Sequence, residues 1–303
     1  MEIEAALGIH EARVQSVPGN ASLVDLFVLR YDALANHLIT SPLLEAETCS
    51  LWEPVSIGID ENGQEVTIDL PEHNLLIGGE PGAGKSVALA SIVVAAALDD
   101  HTTLTLLDGK RVELGLWAPI ADRFVGPDLD EAVDALDQLR ELMDERYLGL
   151  LETKRRKITA DDSEGLHLVI IDELALYLRG GKKETRDRFA EALRDLISRG
   201  RAAGIIVIAA TQKPSHEVVP TYIRDLFSYR LAMRCTSPEA SDTILGQGWA
   251  SQGFSAAQID PATRGIGYLL AEGGKPIRFK AAYFSDEDLV VLEHRSEMVR
   301  AGL

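Results

Sequence analysis

Cysteine and long apolar runs are both scarce in this chain of 303 residues. Its two cysteines, Cys49 and Cys235, cannot build a disulfide framework and lack the spacing of a metal site. Residues 1–4 carry neither the basic region nor the apolar stretch of a secretory signal. The longest apolar run outside single strands, residues 87–98, is too short to span a bilayer. We therefore expect a cytoplasmic protein in a reducing environment, without a transmembrane segment in this chain.

Positive charge is also in short supply, and its distribution is uneven. The chain has 30 Lys and Arg residues against 48 Asp and Glu residues, a formal net charge of −18. Such a balance argues at first against a nucleic-acid partner. However, residues 1–74 hold 13 acidic and 2 basic residues, whereas residues 150–235 hold 16 basic and 12 acidic residues. The acid is concentrated near the start of the chain, so the later part stays compatible with an anionic partner.

A glycine-rich motif, Gly-x-x-x-x-Gly-Lys-Ser, occupies residues 79–86 between a strand pattern and a helix pattern. In this context the motif binds phosphate, because its backbone N–H groups and the helix N-terminus point at the same oxygens. We expect Lys85 to reach the β- and γ-phosphates and Ser86 to hold Mg²⁺. The predicted nucleotide-binding residues are Gly79, Glu80, Pro81, Gly82, Ala83, Gly84, Lys85, Ser86 and Val87.

Residues 168–173 form an apolar strand pattern that ends in two carboxylates, which is typical of a Walker B motif. Asp172 would hold the Mg²⁺ shell, and Glu173 would polarise the attacking water. Together with the glycine-rich loop, this pattern predicts an ATPase that uses ATP and Mg²⁺. Gln212 closes the next strand pattern, where it could sense the γ-phosphate or simply be a polar strand end.

Two arginines, Arg199 and Arg201, end the helix pattern that precedes this strand. They could complement the negative end of the helix. Alternatively, one of them could reach the nucleotide of a neighbouring subunit and stabilise charge on the transferred phosphoryl group. The residues by themselves leave both interpretations open.

Strand patterns alternate with amphipathic helix patterns over most of the chain. This alternation predicts an α/β fold with a mostly parallel central sheet flanked by helices on both faces. Helices are predicted over residues 129–151 and 183–201, and an Asn-Gly turn predicts a hairpin within residues 53–69. We divide the chain into a small N-terminal α+β module, residues 1–50, and an ATPase domain, residues 51–303.

The order and approximate spacing of these motifs resemble the motor domain of the FtsK/SpoIIIE DNA translocases, within the FtsK–HerA class of hexameric P-loop ATPases. The resemblance covers about residues 50–290, and residues 201–215 are its most specific part. The matching segments are residues 54–58, 79–86, 107–110, 145–147, 170–173, 201–205, 210–215 and 242–248.

This resemblance implies a RecA-like ATPase core that assembles as a hexameric ring and moves double-stranded DNA. Arg201 matches the family's trans-acting arginine, and Gln212 matches its sensor. Lys213 and Arg224 match positions in a loop that touches the DNA backbone. A second DNA-facing loop usually carries basic residues, but residues 236–242 here have Pro238 and Asp242 at those positions.

The lack of a winged-helix module and of a membrane-spanning segment favours the plasmid-transfer branch over chromosome translocases. Membrane recruitment would then need a partner protein. One alternative is a secretion ATPase that moves a protein, which a single motor domain disfavours but the acidic composition and Asp242 favour. A nucleotide switch or assembly scaffold is a further alternative, disfavoured because a switch would not need Asp172, Glu173, Gln212 and Arg201 together.

Overall fold

The computed structural model describes residues 8–9, 11–16, 19–20, 22–29, 32, 34–35, 38–212 and 218–303. Its strands are β1 (Glu11–Ser16), β2 (Val24–Leu29), β3 (Val55–Asp60), β4 (Glu65–Ile68), β5 (Leu75–Gly78), β6 (Thr103–Leu107), β7 (Arg123–Val125), β8 (His167–Ile171), β9 (Ile205–Thr211), β10 (Tyr229–Met233), β11 (Ile266–Leu270) and β12 (Ile277–Ala281). Its helices are α1 (Lys85–Ala97), α2 (Leu129–Glu152), α3 (Leu174–Arg179), α4 (Lys183–Arg199), α5 (Thr221–Arg224), α6 (Pro238–Leu245) and α7 (Asp286–Arg300).

A sheet of ten strands organises the chain, in the order β4-β3-β12-β11-β10-β5-β9-β8-β6-β7. The strands from β10 to β7 in this order are mutually parallel. The strands from β4 to β10 pair antiparallel. The predicted α/β fold is therefore confirmed, with an antiparallel extension at one side. Strand β9 lies between β5 and β8, which brings the ends of these three strands together.

Alternate residues of the central strands feed two separate hydrophobic cores. On β8, Leu168 and Ile170 belong to one buried cluster, whereas Val169 and Ile171 belong to the other. This follows from the strand geometry, because successive side chains point to opposite faces of a sheet. Residues of α1 and α7 cover the first face, and residues of α2 and α4 cover the second. Burial on both faces explains why these strands are apolar throughout.

The helix predictions hold, with one informative difference at a helix end. The side chain of Asp128 accepts hydrogen bonds from the N–H groups of Asp130 and Glu131 and thereby caps the start of α2. Helix α4 ends at Arg199, two residues earlier than predicted, and a 3-10 turn follows over Gly200–Ala203. Gly204 then adopts a left-handed φ of 70°, and a Cβ there would lie 2.0 Å from the Cδ1 of Ile158.

The predicted hairpin within residues 53–69 is present as β3 and β4, which form the edge of the main sheet. Asp60 closes its turn by accepting hydrogen bonds from the N–H groups of Asn62 and Gln64, each at 2.8 Å. Strands β1 and β2 pair antiparallel in a separate small sheet. The division of the chain at residue 50 stays a prediction.

Part of the N-terminal segment is fixed to the main sheet by charged contacts. The guanidinium of Arg278 on β12 pairs with Asp32 at 2.5 Å and with Glu61 at 2.6 Å. The ammonium of Lys280 donates to the carbonyl oxygen of Leu34 at 2.7 Å, and the Leu34 side chain is buried. Among the described residues, none of the helices combines the length and the apolar composition that a membrane crossing requires.

Candidate functional site

The glycine-rich loop connects the end of β5 to the start of α1, as the motif requires. Gly82 has φ 73° and Gly84 has φ 104°, both in the left-handed region that favours glycine. A Cβ on Gly84 would also lie 2.8 Å from backbone atoms of Gly265. Glu80 forms an ion pair with Arg234 and donates its N–H to the carbonyl oxygen of that residue at 2.9 Å. The loop is thus held against the segment that follows β10.

Lys85 lies inside this loop, with 8% of its surface exposed. Its ammonium donates to the carbonyl oxygens of Gly79 at 2.8 Å and Glu80 at 2.9 Å. Burial lowers the pKa of Lys85, while the charges of Glu173 and Asp172 act in the opposite direction. The loop, the helix N-terminus and this buried cation form a cradle that fits a polyphosphate.

Asp172 follows β8 and is buried, with 8% of its surface exposed. Burial raises its pKa to about 6, and the nearby carboxylates of Asp108 and Glu113 add to this effect. Its Oδ2 atom has no hydrogen-bond partner among the described residues. A buried carboxylate oxygen without a donor is costly unless a cation satisfies it, so the site fits Mg²⁺ held by Asp172 and Ser86.

Glu173 is held by the end of the neighbouring strand β9. Its carboxylate accepts a hydrogen bond from the Thr211 hydroxyl at 3.0 Å and from the Gln212 backbone N–H at 3.1 Å. The half-buried Gln212 therefore lies beside the predicted catalytic carboxylate. The structure brings Lys85, Asp172, Glu173 and Gln212 together at the carboxyl edge of the parallel strands.

The segment after β6 adds charged groups to which the sequence pattern assigned no role. The carboxylate of Asp108 accepts hydrogen bonds from the backbone N–H groups of Lys110, Arg111 and Leu114, at 2.8–2.9 Å. This turn places the exposed Lys110 close enough for its charge to lower the pKa of both Lys85 and Asp172. The Asp-Gly-Lys sequence that ends this strand was the available signal.

Arg201 lies at the opposite end of the parallel strands, next to the amino end of β9. It sits in the 3-10 turn Gly200–Ala203 that precedes β9, whereas the far end of β9 aligns Thr211 with Gly78 of β5. Strand β9 rises about 3.3 Å per residue, so about 20 Å separates its two ends. This distance exceeds the reach of an arginine side chain. Arg201 contacts Glu272 at 3.9 Å at this edge.

Two further residues, from the segment 145–147, hold the turn that carries Arg201. The guanidinium of Arg146 donates to the carbonyl oxygen of Ala203 at 2.7 Å and to that of Glu164 at 2.9 Å. The hydroxyl of Tyr147 donates to the carbonyl oxygen of Arg199. Together they fasten both ends of the turn. Sequence reasoning noted this segment but could not assign its role, because its partners lie more than 15 residues away.

Arg199, the other candidate arginine, is occupied in ion pairs. It contacts Asp195 at 3.0 Å and also pairs with Asp144, and its guanidinium lies 5.8 Å from the ring centre of Tyr147. These contacts tie the end of α4 to α2 and agree with a structural role at the helix end.

The structure describes only one of the two predicted DNA-contacting residues. Lys213 lies outside the described residues. Arg224 is 8% exposed, and its Nη1 atom has no hydrogen-bond partner in the part of the chain that the structure describes. In this conformation the guanidinium is turned inward, so a DNA contact by Arg224 would need a rearrangement and stays a prediction.

Asp242 and Pro238 have local structural roles. The carboxylate of Asp242 accepts hydrogen bonds from the N–H groups of Gly248 at 2.9 Å and Ala250 at 2.7 Å. Pro238 occupies the first turn of α6, where its missing N–H costs nothing. Asp242 thus fixes a turn, and its charge is not evidence for a protein substrate.

The parallel sheet, the phosphate cradle and the paired carboxylates define a P-loop ATPase. A family model described as FtsK/SpoIIIE family matches residues 46–241, more than half of the chain, and the chain belongs to this family.

Curated relatives support this assignment. A DNA translocase FtsK from Lactiplantibacillus plantarum is 28% identical over 95% of this chain and 38% of its own length. A DNA translocase FtsK from Staphylococcus aureus is 29% identical over 78% of this chain and 31% of its own length. The chain therefore spans less than two fifths of these relatives.

Solved structures share the fold at lower identity. The pCW3 conjugation coupling protein TcpA, in its monomer form with ATPγS, has a TM-score of 0.75 at 22% identity, over 98% of this chain and 84% of TcpA. ATPases 2 and 3 of EssC from Geobacillus thermodenitrificans have a TM-score of 0.69 at 16% identity, over 88% of this chain and 51% of EssC.

The buried charge of Asp172 predicts a gain in stability when it is removed. Because burial raises its pKa above the unfolded value, ionisation costs folded-state stability as the pH rises through about 6. At pH 7.5, without Mg²⁺ or nucleotide, Asp172→Asn should raise the free energy of unfolding by about 1–3 kcal/mol. The gain should shrink at pH 5, where the wild-type carboxyl is protonated.

Thermal and urea denaturation at the two pH values check this expectation. Asp108→Asn is the matched control, since Asp108 is buried nearby but accepts three backbone hydrogen bonds. That substitution should destabilise the protein. An Asp172→Asn variant that is less stable at pH 7.5 would contradict the assignment of an uncompensated buried charge.

Proposed function

We propose that this domain assembles head to tail into a hexameric ring, as its family does, and uses ATP hydrolysis to move double-stranded DNA. The observation that carries the proposal is the separation of the site into two halves. The phosphate cradle and carboxylates lie at one edge of the sheet, and Arg201 lies at the other. Arg201 can therefore reach a nucleotide only in a neighbouring subunit, and repetition of such a contact closes a ring.

Within one subunit, the residues of the carboxyl edge divide the chemistry. The loop and Lys85 would bind and orient the phosphates of ATP, and Ser86 and Asp172 would hold Mg²⁺. Bound Mg²⁺ would neutralise charge on the phosphate oxygens. Glu173, held by hydrogen bonds from Thr211 and the Gln212 N–H, would orient and deprotonate the attacking water. A movement of Glu173 would disturb its hydrogen bond with Gln212 and thereby the segment that follows Gln212.

DNA is the substrate that we favour. The curated relatives are named DNA translocases, and the TcpA structure, which covers almost the whole chain, is that of a conjugation coupling protein. We infer a role in plasmid transfer, with chromosome segregation as the other DNA-transport process. Recruitment to the membrane by a partner protein belongs to this proposal.

A second candidate is transport of a protein substrate. The structural similarity to ATPases 2 and 3 of EssC and to the cytoplasmic domain of the Type VII secretion ATPase EccC of Thermomonospora curvata favours it. The two candidates differ in what stimulates hydrolysis, so one assay separates them.

ATP hydrolysis should rise strongly when long double-stranded DNA is added, and this stimulation should fade steeply with salt. The physical reason is that contacts to phosphates release counterions, which makes binding salt-dependent. The measurement is steady-state ATPase activity across a KCl series, with and without DNA. Hydrolysis that is robust but indifferent to DNA at every salt concentration would favour the protein-transport candidate.

Arg201→Ala should reduce hydrolysis in assembled protein on the order of 10³-fold, because an arginine finger contributes about that much. Mixing Arg201→Ala with Lys85→Ala subunits should restore activity, since each supplies the half that the other lacks. A random equal mixture should regain up to about a quarter of the wild-type rate. Arg199→Ala is the control and should lose far less. No recovery on mixing would argue that Arg201 does not act on a neighbour.

Tyr147→Phe and Arg146→Lys should lower hydrolysis several-fold by loosening the turn that carries Arg201. The affinity for a fluorescent ATP analogue should stay at the wild-type value, because the phosphate cradle is at the other edge. Mixing with Lys85→Ala subunits should restore activity in these variants too. Weakened nucleotide binding without recovery would indicate a general defect of the fold.

A further inference from the structure

A groove with a volume of about 490 Å³ lies between helices α3 and α4 on one side and residues 218–222 on the other. We call it the α3–α4 groove. Arg179, Lys183 and Arg186 line one wall, and Val218, Pro220 and Tyr222 line the other. Tyr222 is 56% exposed. The site described above does not use any of these residues.

The basic wall stands out in an acidic chain. Residues 179–188 hold five basic and two acidic residues, whereas the whole chain has a net charge of −18. Lys183 contacts Asp187 at 2.9 Å, but both side chains are mostly exposed, so this pair is weak. Arg179 and Arg186 have no carboxylate partner among the described residues. Asp187 is the acidic residue that lines the groove.

The opposite side of α4 shows what neutralised arginines look like in this protein. Arg188 pairs with Asp137 of α2 at 3.1 Å, and Arg199 pairs with Asp144 of α2. These contacts join α4 to α2 and account for the charge there. By contrast, the charges of Arg179 and Arg186 stay available to an anionic partner.

The groove also lies close to the hydrolytic site in the fold. Helix α3 begins directly after Glu173 and ends at Arg179, a span of about 9 Å. The guanidinium of Arg186 donates to the carbonyl oxygen of Arg179 at 3.1 Å, so the end of α3 is tied to α4 within one wall of the groove. Residues 218–222 follow β9 by a short segment that starts after Gln212. Both walls therefore leave the carboxyl ends of adjacent parallel strands.

We propose that the α3–α4 groove binds the phosphate backbone of double-stranded DNA through Arg179, Lys183 and Arg186. This inference rests on the proposed function and adds a contact surface to it. It supplies cations that the segment around Pro238 and Asp242 lacks, where the Asp242 carboxylate is committed to backbone N–H groups. Contacts to phosphates carry no sequence preference, so the groove would accept any DNA sequence.

The test measures how the full chain, with Mg²⁺ and ATPγS, binds fluorescent double-stranded DNA of random sequence. Binding is measured by fluorescence anisotropy across a KCl series. The triple variant Arg179→Ala, Lys183→Ala and Arg186→Ala should bind more weakly at low salt. Each lost phosphate contact should reduce the slope of log K against log salt by about 0.9, so the slope should fall by roughly 2–3. Arg179→Lys with Arg186→Lys keeps the charges and should keep the slope.

A second triple variant controls for net charge. Arg156→Ala, Arg194→Ala and Lys275→Ala removes three exposed cations outside the groove and should leave the slope close to wild type. An unchanged slope in the groove variant, or an equal fall in the control variant, would overturn the proposal. So would a groove variant that loses binding to phosphatidylglycerol vesicles while its DNA slope is unchanged. A wild-type chain that binds no DNA would instead contradict the proposed function.

Discussion

Strand β9 is hydrogen-bonded to β5 on one side and to β8 on the other, and this register decides where every functional group lies. It aligns Gly78 with Thr211, so the phosphate loop, Gln212 and Glu173 emerge side by side. The same strand starts about 20 Å away, at the turn that carries Arg201. Because a slip of one residue would turn each buried side chain to the other face, the two hydrophobic cores hold this register. The packing that stabilises the sheet therefore also fixes the geometry of the site.

Much of this arrangement could be predicted from the sequence, because the signals are local. The glycine loop, the apolar strand before Asp172 and Glu173, and the helix periodicity are each encoded by residues that lie close together in the sequence. Other roles depend on partners distant in sequence. Arg146 holds the carbonyl of Ala203, and Asp242 caps a turn, so neither role could be read from residue type. The inward position of Arg224 is likewise a result of packing.

Negative charge is used in two ways in this protein. Asp108 is buried but receives three backbone hydrogen bonds, and it shapes the turn after β6. Asp172 is buried nearby with an oxygen that lacks a donor, so its charge is uncompensated within the described residues. The first carboxylate supports the fold, whereas the second lowers stability and, in the proposed mechanism, would bind a cation. Functional sites commonly keep such local costs.

In the proposed ring, the separation of the phosphate cradle from Arg201 would make activity depend on protein concentration. An open row of subunits leaves one cradle and one arginine unmatched at its two ends, whereas a closed ring leaves none. The rate per subunit would therefore be almost nil in dilute solution and would rise sharply above an assembly threshold. Dispersed subunits would then hydrolyse little ATP, and any template that gathers subunits locally would switch hydrolysis on.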